Sequence, residues 1–184
     1  MKTIILLLIA VLCSLTTYAQ TPEKGTINFN AGIGVPNNIG RLMKAVELYS
    51  SDIKVKSSPV YQFSIDGQVG EEFQIGFIYG HSSVKIHDKS EGSAADSKIN
   101  TTILGLKLEY ITDLNDKSNI YAGPTIMYSI IQFKNFFVPS ANISGIGIYP
   151  HVGITRKFSK TTSGYFELGY GMALLNAGLK VRLK

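Results

Sequence analysis

Apolar residues occupy every second position of GTINFNAGIGV, residues 25–35. Ile27, Phe29, Ala31, Ile33 and Val35 share one face of an extended strand, and Thr26, Asn28, Asn30, Gly32 and Gly34 share the other. The period of two returns over 60–69, where Tyr61, Phe63, Ile65 and Val69 oppose Gln62, Ser64, Asp66 and Gln68. Over 73–83, Phe73, Ile75, Phe77 and Tyr79 oppose Gln74, Gly76, Gly80 and Ser82; over 102–110, Leu104, Leu106, Leu108 and Tyr110 oppose Gly105, Lys107 and Glu109. Segments 119–131 and 144–156 alternate in the same way, but they hold Pro124 and Pro150, and proline removes a donor from a strand ladder. A final pair over 164–173 and 177–184 brings the predicted strands to eight.

The links between them alternate in length. Those at 70–72, 112–118 and 159–163 are short and polar, whereas those at 36–58, 84–100 and 132–143 are long; the last long-side link, at 174–176, is short. Short turns at one end and longer loops at the other mark a transmembrane up-and-down barrel, whose strands need about 9–11 residues to cross. The predicted fold class is all-β, an eight-stranded antiparallel up-and-down transmembrane β-barrel. An even strand count puts both termini at the short-turn, periplasmic end. Residues 41–50, RLMKAVELYS, read either as a short amphipathic helix in the first long loop or as an ordered loop.

At the N-terminus Lys2 precedes an apolar stretch over 4–12, followed by Ser14, Thr16 and Thr17 and then Tyr18-Ala19-Gln20, with small residues where a signal peptidase reads. Residues 1–19 are expected to be a signal peptide cleaved between Ala19 and Gln20, and 20–184 a single barrel domain. The stretch falls short of the roughly 20 apolar residues that a spanning helix needs, and no later window is longer. Cys13 is the chain's single cysteine and lies in the signal, so the exported chain has neither a disulfide framework nor a thiolate metal site. Charged residues make up 17% of the chain. Soluble proteins usually carry about a quarter, so something other than water is expected to cover part of this surface.

Alternation alone leaves the outward face open, because a soluble barrel buries its apolar face and a membrane barrel turns it to lipid. Export, loop lengths and the polar face favour the second arrangement. The polar face carries isolated charges and GxG pairs at Gly32 and Gly34, Gly145 and Gly147, and Gly169 and Gly171. In a narrow barrel, whose interior just holds side chains, such glycines would leave room for Tyr121, Tyr149, Lys107 and Arg182. Over its mature length the chain resembles the small outer-membrane β-barrel, porin-like proteins of Gram-negative bacteria, and its Ala-Gln junction resembles exported proteins of Bacteroidota. That family ends in an assembly signal of polar, x, Gly, x, x, hydrophobic, x, hydrophobic, which Asn176, Gly178, Val181 and Leu183 fit; Lys184 follows where an aromatic residue usually closes the chain. The resemblance implies residence in the outer membrane among its lipid and lipopolysaccharide, insertion by the barrel assembly machinery, and no cofactor. Lys54, Lys56, Lys85 and Lys89 fall in surface loops, where they suit solvation or the anionic sugar-phosphate of lipopolysaccharide, and the long loops are where an extracellular ligand would be met.

If 173–176 form the tight loop of the last hairpin, Glu167 faces Arg182, Gly169 faces Lys180 and Gly171 faces Gly178. The charged row is expected in the lumen, since a basic side chain on lipid at the bilayer midplane costs roughly 2–4 kcal/mol. Glu167 would then pair with Arg182 or Lys180, and Lys107 with Glu109 or Asp66, as a polar plug.

Few patterns point to other chemistry. AGIGVPNNIG, residues 31–40, lacks GxGxxG spacing and a βαβ context, no Walker or GxSxG sequence occurs, and His81, His87 and His151 lack zinc-motif spacing. No basic patch interleaved with aromatics argues for nucleic acid. The one enzymatic hint is His81-Ser82-Ser83. Outer-membrane 3-O-deacylases of lipid A resemble this stretch in carrying His-x-Ser near the lipid-facing rim, so His81 and Ser83, with Glu91, would form a triad. The leading expectation is a non-enzymatic outer-membrane barrel with a structural, surface-interaction or limited small-solute role. Two alternatives stand beside it: an exported soluble barrel closing Phe29, Phe63, Phe77 and Leu106 around an apolar ligand, and a lipid A hydrolase using His81 and Ser83.

Overall fold

Each alternating segment forms a strand, because its two faces meet different surroundings and only extended backbone separates them. The computed structural model describes residues 24–49, 52–88, 96–134, 141–169 and 171–183; the expected signal peptide, its Ala19–Gln20 junction, Lys89 and Glu91 lie outside them. In chain order the elements are β1 (Ile27–Asn37), α1 (Asn38–Glu47), β2 (Ile53–Ser57), β3 (Val60–Gln68), β4 (Phe73–Asp88), β5 (Asp96–Asn115), β6 (Ser118–Lys134), β7 (Asn142–Lys157), β8 (Thr162–Gly169) and β9 (Ala173–Arg182). All ladders are antiparallel. They run from β1 to β3, on through β4 to β9, and from β9 back to β1, so eight strands close into a barrel; β2 is an extra strand lying on the upper part of β4.

The ladders spiral. Paired residues on the outer face lead from Thr112 through Ile120, Ile154, Phe166, Ala177, Ile33, Tyr61 and His81 to Thr102. The circuit therefore leaves β5 at Thr112 and returns to it ten residues higher, at Thr102. Such stagger tilts the strands of a closed barrel and fixes its width, which for eight strands leaves an interior that side chains fill. Pro124 and Pro150 stand directly opposite each other. The β5–β6 ladder is interrupted beside them, between Lys107↔Thr125 and Tyr110↔Ala122, where Pro124 has no N–H to offer.

The rim is uneven. Strands β4, β5, β6 and β7 run on beyond the short β8–β9 hairpin and, with β2, form a raised sheet. Asn37 caps α1, its side-chain oxygen accepting from the N–H groups of Ile39 and Gly40 at 3.1 and 3.3 Å. Ile39 and Met43 on that helix pack against Val55, Val84 and Ile99, joined by Ile53, Ile86, Ile131 and Phe133. The helix starts at Asn38, three residues before the segment that the sequence marked, because Asn37 supplies the cap and Ile39 the first apolar contact.

The last hairpin differs from its expected form. Its link falls between Gly169 and Ala173, not at 173–176, and Glu167 faces Asn176 while Ser163, not Gly169, faces Lys180. Arg182 lies beyond Glu167's reach in this register. Asn176 reads as a turn residue in sequence, but here it pairs with Gly34 of β1, and β9 continues up to Ala173, which is buried opposite Asn37. Glu167's partner moves by six positions, an even number, so every side chain keeps its expected face. This register predicts that, in a chain whose mature part has no other cysteine, Phe166→Cys with Ala177→Cys forms an intramolecular disulfide in the folded barrel. Phe166→Cys with Leu183→Cys, the pair of the 173–176 loop, is expected to stay reduced on a non-reducing gel.

Candidate functional site

The barrel is inside out relative to a soluble protein. Most buried side chains are polar, including Asn28, Asn30, Gln62, Ser64, Asp66, Gln74, Lys107, Glu109, Thr125, His151, Glu167 and Asn176, while large apolar side chains line the exterior. Phe29, Phe63, Phe77 and Leu106, the residues expected to surround a ligand in a soluble barrel, all point outward and are 37–52% exposed. They do not close around a ligand, because the opposite face carries the charges that the interior pairs.

Those charges and their partners form two adjoining groups, one around Lys107 and one around Asp66, that together reach every strand of the closed barrel. Lys107 Nζ lies 2.5 Å from Glu109 Oε1 and 3.8 Å from Glu167 Oε2. Glu109 is held further by Gln74, whose Nε2 donates to Oε2 at 2.8 Å, and by His151 Nε2 at 3.0 Å; His151 Nδ1 in turn meets Thr125 Oγ1 at 3.1 Å. Glu167 accepts from the Tyr121 hydroxyl at 3.2 Å and from Asn176 Nδ2 at 3.2 Å. Asn30 on β1 donates to Ser64 at 2.6 Å and to Asp66. The ammonium groups of Lys107 and Lys180 stand 5.8 and 5.6 Å from the centre of the Tyr121 ring. A buried charge is tolerated only when paired and hydrogen-bonded, and each carboxylate of the Lys107 pair meets both demands.

The residues expected to form a plug lie inside the barrel, but several have other partners than expected. Lys107 takes both Glu109 and Glu167, Asp66 is bound through Asn30, and Arg182 lies at the lower mouth beside Lys157, Lys160 and Lys180. His151, Gln74, Thr125 and Asn30 were not singled out from the sequence, although all sit on its predicted polar faces. Of the expected GxG pairs, Gly32 and Gly147 make room for tyrosines, whereas Gly145 meets open space and Gly171 only ordinary contacts. A methyl group at Gly153 would collide with Tyr121, one at Gly147 with Tyr149, and one at Gly32 or Gly178 with Tyr165. Gly76 faces Lys107 across the β4–β5 ladder, and there it is Asp66 that fills the space. The voids left at the lower mouth and through the plug are about 30, 10 and 20 Å³. A single water needs about 10–15 Å³, so each void holds no more than a few.

A second feature lies on the raised sheet. Lys56 faces Lys85, Lys85 faces Lys98, and Lys98 faces Lys134, so four lysines stand abreast across β2, β4, β5 and β6 on the outward face. Lys54, His87 and Asp96 form the next row up. The His87–Asp96 contact of 2.5 Å holds the Asp96 carboxyl below the usual carboxylate range, with help from the charges of His87, Lys85 and Lys56. Sequence spacing scatters these lysines; only strand register aligns them. Like charges directly opposite each other destabilise a sheet, so the row calls for a counter-charge.

His81 and Ser83 also share the outward face, at the edge of the apolar exterior. The His81 ring nitrogen meets Thr102 Oγ1 at 3.2 Å, and among the described residues no hydrogen bond joins it to Ser83. Of the residues that fit the expected assembly-signal pattern, Asn176 and Gly178 face inward, against Glu167 and Tyr165, while Val181 and Leu183 lie exposed outside.

This architecture defines a class, the small closed β-barrel with an apolar exterior and a charged, side-chain-filled interior. No protein-family model and no curated protein matches the sequence. Among solved structures the chain is similar to Neisserial surface protein A, at 12% identity over 86% of this chain and 96% of that one, with a TM-score of 0.51, which establishes the closed antiparallel eight-stranded fold. Ail, the attachment invasion locus protein of Yersinia pestis, also aligns with 87% of this chain and 96% of its own. Alone it gives 9% identity and a TM-score of 0.47; in complex with the heparin analogue sucrose octasulfate it gives 8% and 0.48.

The network yields a stability prediction. Glu109→Ala leaves Lys107, Gln74 and His151 without their shared acceptor and is expected to destabilise the barrel by about 3 kcal/mol. Glu109→Gln, which keeps an acceptor for Gln74 and His151 while Lys107 retains Glu167, should lose less than that. Urea titration of the folded gel band reads both; equal midpoints for wild type and Glu109→Ala would show that the network contributes nothing.

Proposed function

We propose that the chain is an integral, non-enzymatic outer-membrane barrel of a Gram-negative bacterium, closed to general diffusion, which meets anionic partners at the cell surface through its lysine row. The observation that carries this reading is an inversion of polarity along single strands. On β4 the outward face runs Phe73, Ile75, Phe77, Tyr79 and then changes to His81, Ser83, Lys85, His87, while the inward face changes from Gln74 and Gly76 to Val84 and Ile86. On β5 the outward Leu104, Leu106, Leu108 and Tyr110 give way above to Thr102 and Lys98, with Asn100 buried between them, as the inward Lys107 and Glu109 give way to Ile99 and Ile103 on either side of Thr101. A strand that swaps its faces between apolar and polar is passing from lipid into water. Aromatic rings border the apolar band, as they do at membrane interfaces: Tyr61, Tyr79 and Tyr128 above, and below Phe73 and Tyr110, whose rings meet edge-on at 5.4 Å.

In this reading the raised sheet is extracellular, both termini are periplasmic, and Asn176, Gly178, Val181 and Leu183 serve the barrel assembly machinery. The lysine row then stands just above the lipid, at the level of the sugar-phosphates of lipopolysaccharide, whose negative charge offsets the repulsion within the row. The bond from His81 to Thr102 supports a structural use of that histidine over a hydrolytic one.

Cell fractionation tests the location: the protein is expected with the outer membrane and, when heated, to change its mobility on a gel. Release as a soluble periplasmic protein would overturn the proposal. Replacing Lys56, Lys85, Lys98 and Lys134 together by glutamine should reduce the lipopolysaccharide that co-purifies with each barrel several-fold, without altering the folded band. Unchanged co-purification would remove the role given to the row. Ser83→Ala is expected to leave the acylation pattern of lipid A as in wild type.

A further inference from the structure

Above the plug the barrel interior opens into a vestibule of about 200 Å³, lined by Ile39, Ser82, Thr101, Ile103, Met127, Ser129, Ile131, Tyr149 and Met172, with Asn37, Asn38 and Gly171 completing the wall. Its lining carries no ionisable acid or base other than the Tyr149 phenol, in contrast to the network beneath it. Apolar atoms dominate, from three isoleucines, two methionines and the Tyr149 ring. Methionine is unbranched and adapts to the shape of what it touches. Within this lining Ser82 is 1% exposed, and its hydroxyl has no hydrogen-bond partner among the described residues. Leaving such a group unmatched costs about 1–3 kcal/mol; the oxygen is closed to water, so a ligand atom that bonds to it gains accordingly once the lining beside it gives way, as the two methionines allow.

The vestibule also has an opening built into the topology. β7 pairs with β8 only up to His151↔Gly169, and from Pro150 to Asn142 it pairs with β6 alone among the described residues. On that side the wall is low, consisting of the short β8–β9 link around Gly171 and Met172. This link is fastened to the start of α1, since the Asn38 N–H donates to the Met172 carbonyl at 2.8 Å and Asn38 Nδ2 to the Gly171 carbonyl at 2.5 Å. Roof and sill are thus held together, and among the described residues no strand other than β6 pairs with β7 above His151, at the upper edge of the apolar exterior.

We propose that this vestibule binds a neutral, largely apolar molecule of about one ring's size, bearing one hydrogen-bonding group, that enters sideways past β7. A cavity of about 150 Å³ with an apolar lining admits benzene; this one is larger and adds a hydroxyl, which suits a phenol-like or indole-like compound. The site is separate from the lysine row and does not depend on what that row binds.

The test uses the folded full-length barrel in detergent, with its methionine methyl groups labelled for NMR and phenol and toluene as probes. Met127 and Met172 line the vestibule, whereas Met43 packs against the Val55, Val84 and Ile99 cluster and serves as an internal control. Both probes are expected to shift the Met127 and Met172 signals saturably and leave Met43 in place. Ser82→Ala should weaken phenol about five-fold, the value of one hydrogen bond, and leave toluene unchanged. Ser129→Phe, which fills the space, should abolish both; Thr101→Leu replaces it if that variant does not give a folded band. Shifts that grow linearly at all three methionines, as for partition into the micelle, would overturn the proposal. So would binding indifferent to the filling variant, or a Ser82→Ala effect identical for the two probes.

Discussion

Lys107, caught between Glu109 and Glu167 inside a ring of eight strands, is the contact on which the rest of the barrel depends. A stagger of ten residues around eight strands leaves an interior that side chains must fill, and this chain fills it with charge. Each buried carboxylate of the Lys107 pair must then find donors, which explains why Gln74, His151, Tyr121 and Asn176 converge from four different strands. Filling the middle with Tyr121, Tyr149 and Tyr165 calls for glycine at Gly153, Gly147 and Gly32. These glycines, costly for strand stability by themselves, follow from the volume of the plug.

The same strands solve the opposite problem a few residues higher. Once β4 and β5 rise past Tyr79 and Leu104 their outer faces turn polar, and the inner faces need an apolar cover, which α1 and β2 provide. The helix is therefore a consequence of the raised sheet. Because β8 and β9 stop short, the cover is incomplete on one side, and the space between plug and helix becomes the vestibule. Barrel, cap and cavity follow from where each strand crosses between two surroundings.

Much of this was legible from alternation alone. Strand count, fold class, the direction of each face and the presence of a charged interior all depend on a period of two, which sequence carries directly. What depends on register was not legible. The loop of the last hairpin was expected at 173–176; the Asn176 amide is committed to Glu167 instead, and the pairing of β9 with β1 settles the position. The alignment of Lys56, Lys85, Lys98 and Lys134 comes from four strands separated in sequence, so no local spacing announces it. His151 lay on a face marked polar, but nothing local tied it to Glu109, some forty residues away along the chain.

The central claim is that the apolar face meets lipid and the charged face is enclosed, with the boundary lying where the strands change polarity. Nitroxide labels placed singly at Leu106, Leu104, Thr102 and Lys98, successive outward positions on β5, test it directly in vesicles. The account predicts high accessibility to oxygen and low accessibility to a water-soluble nickel relaxant at Leu106 and Leu104, with the order reversing at Thr102 and complete at Lys98. Equal access of the aqueous relaxant to Leu106 and Lys98 would contradict it.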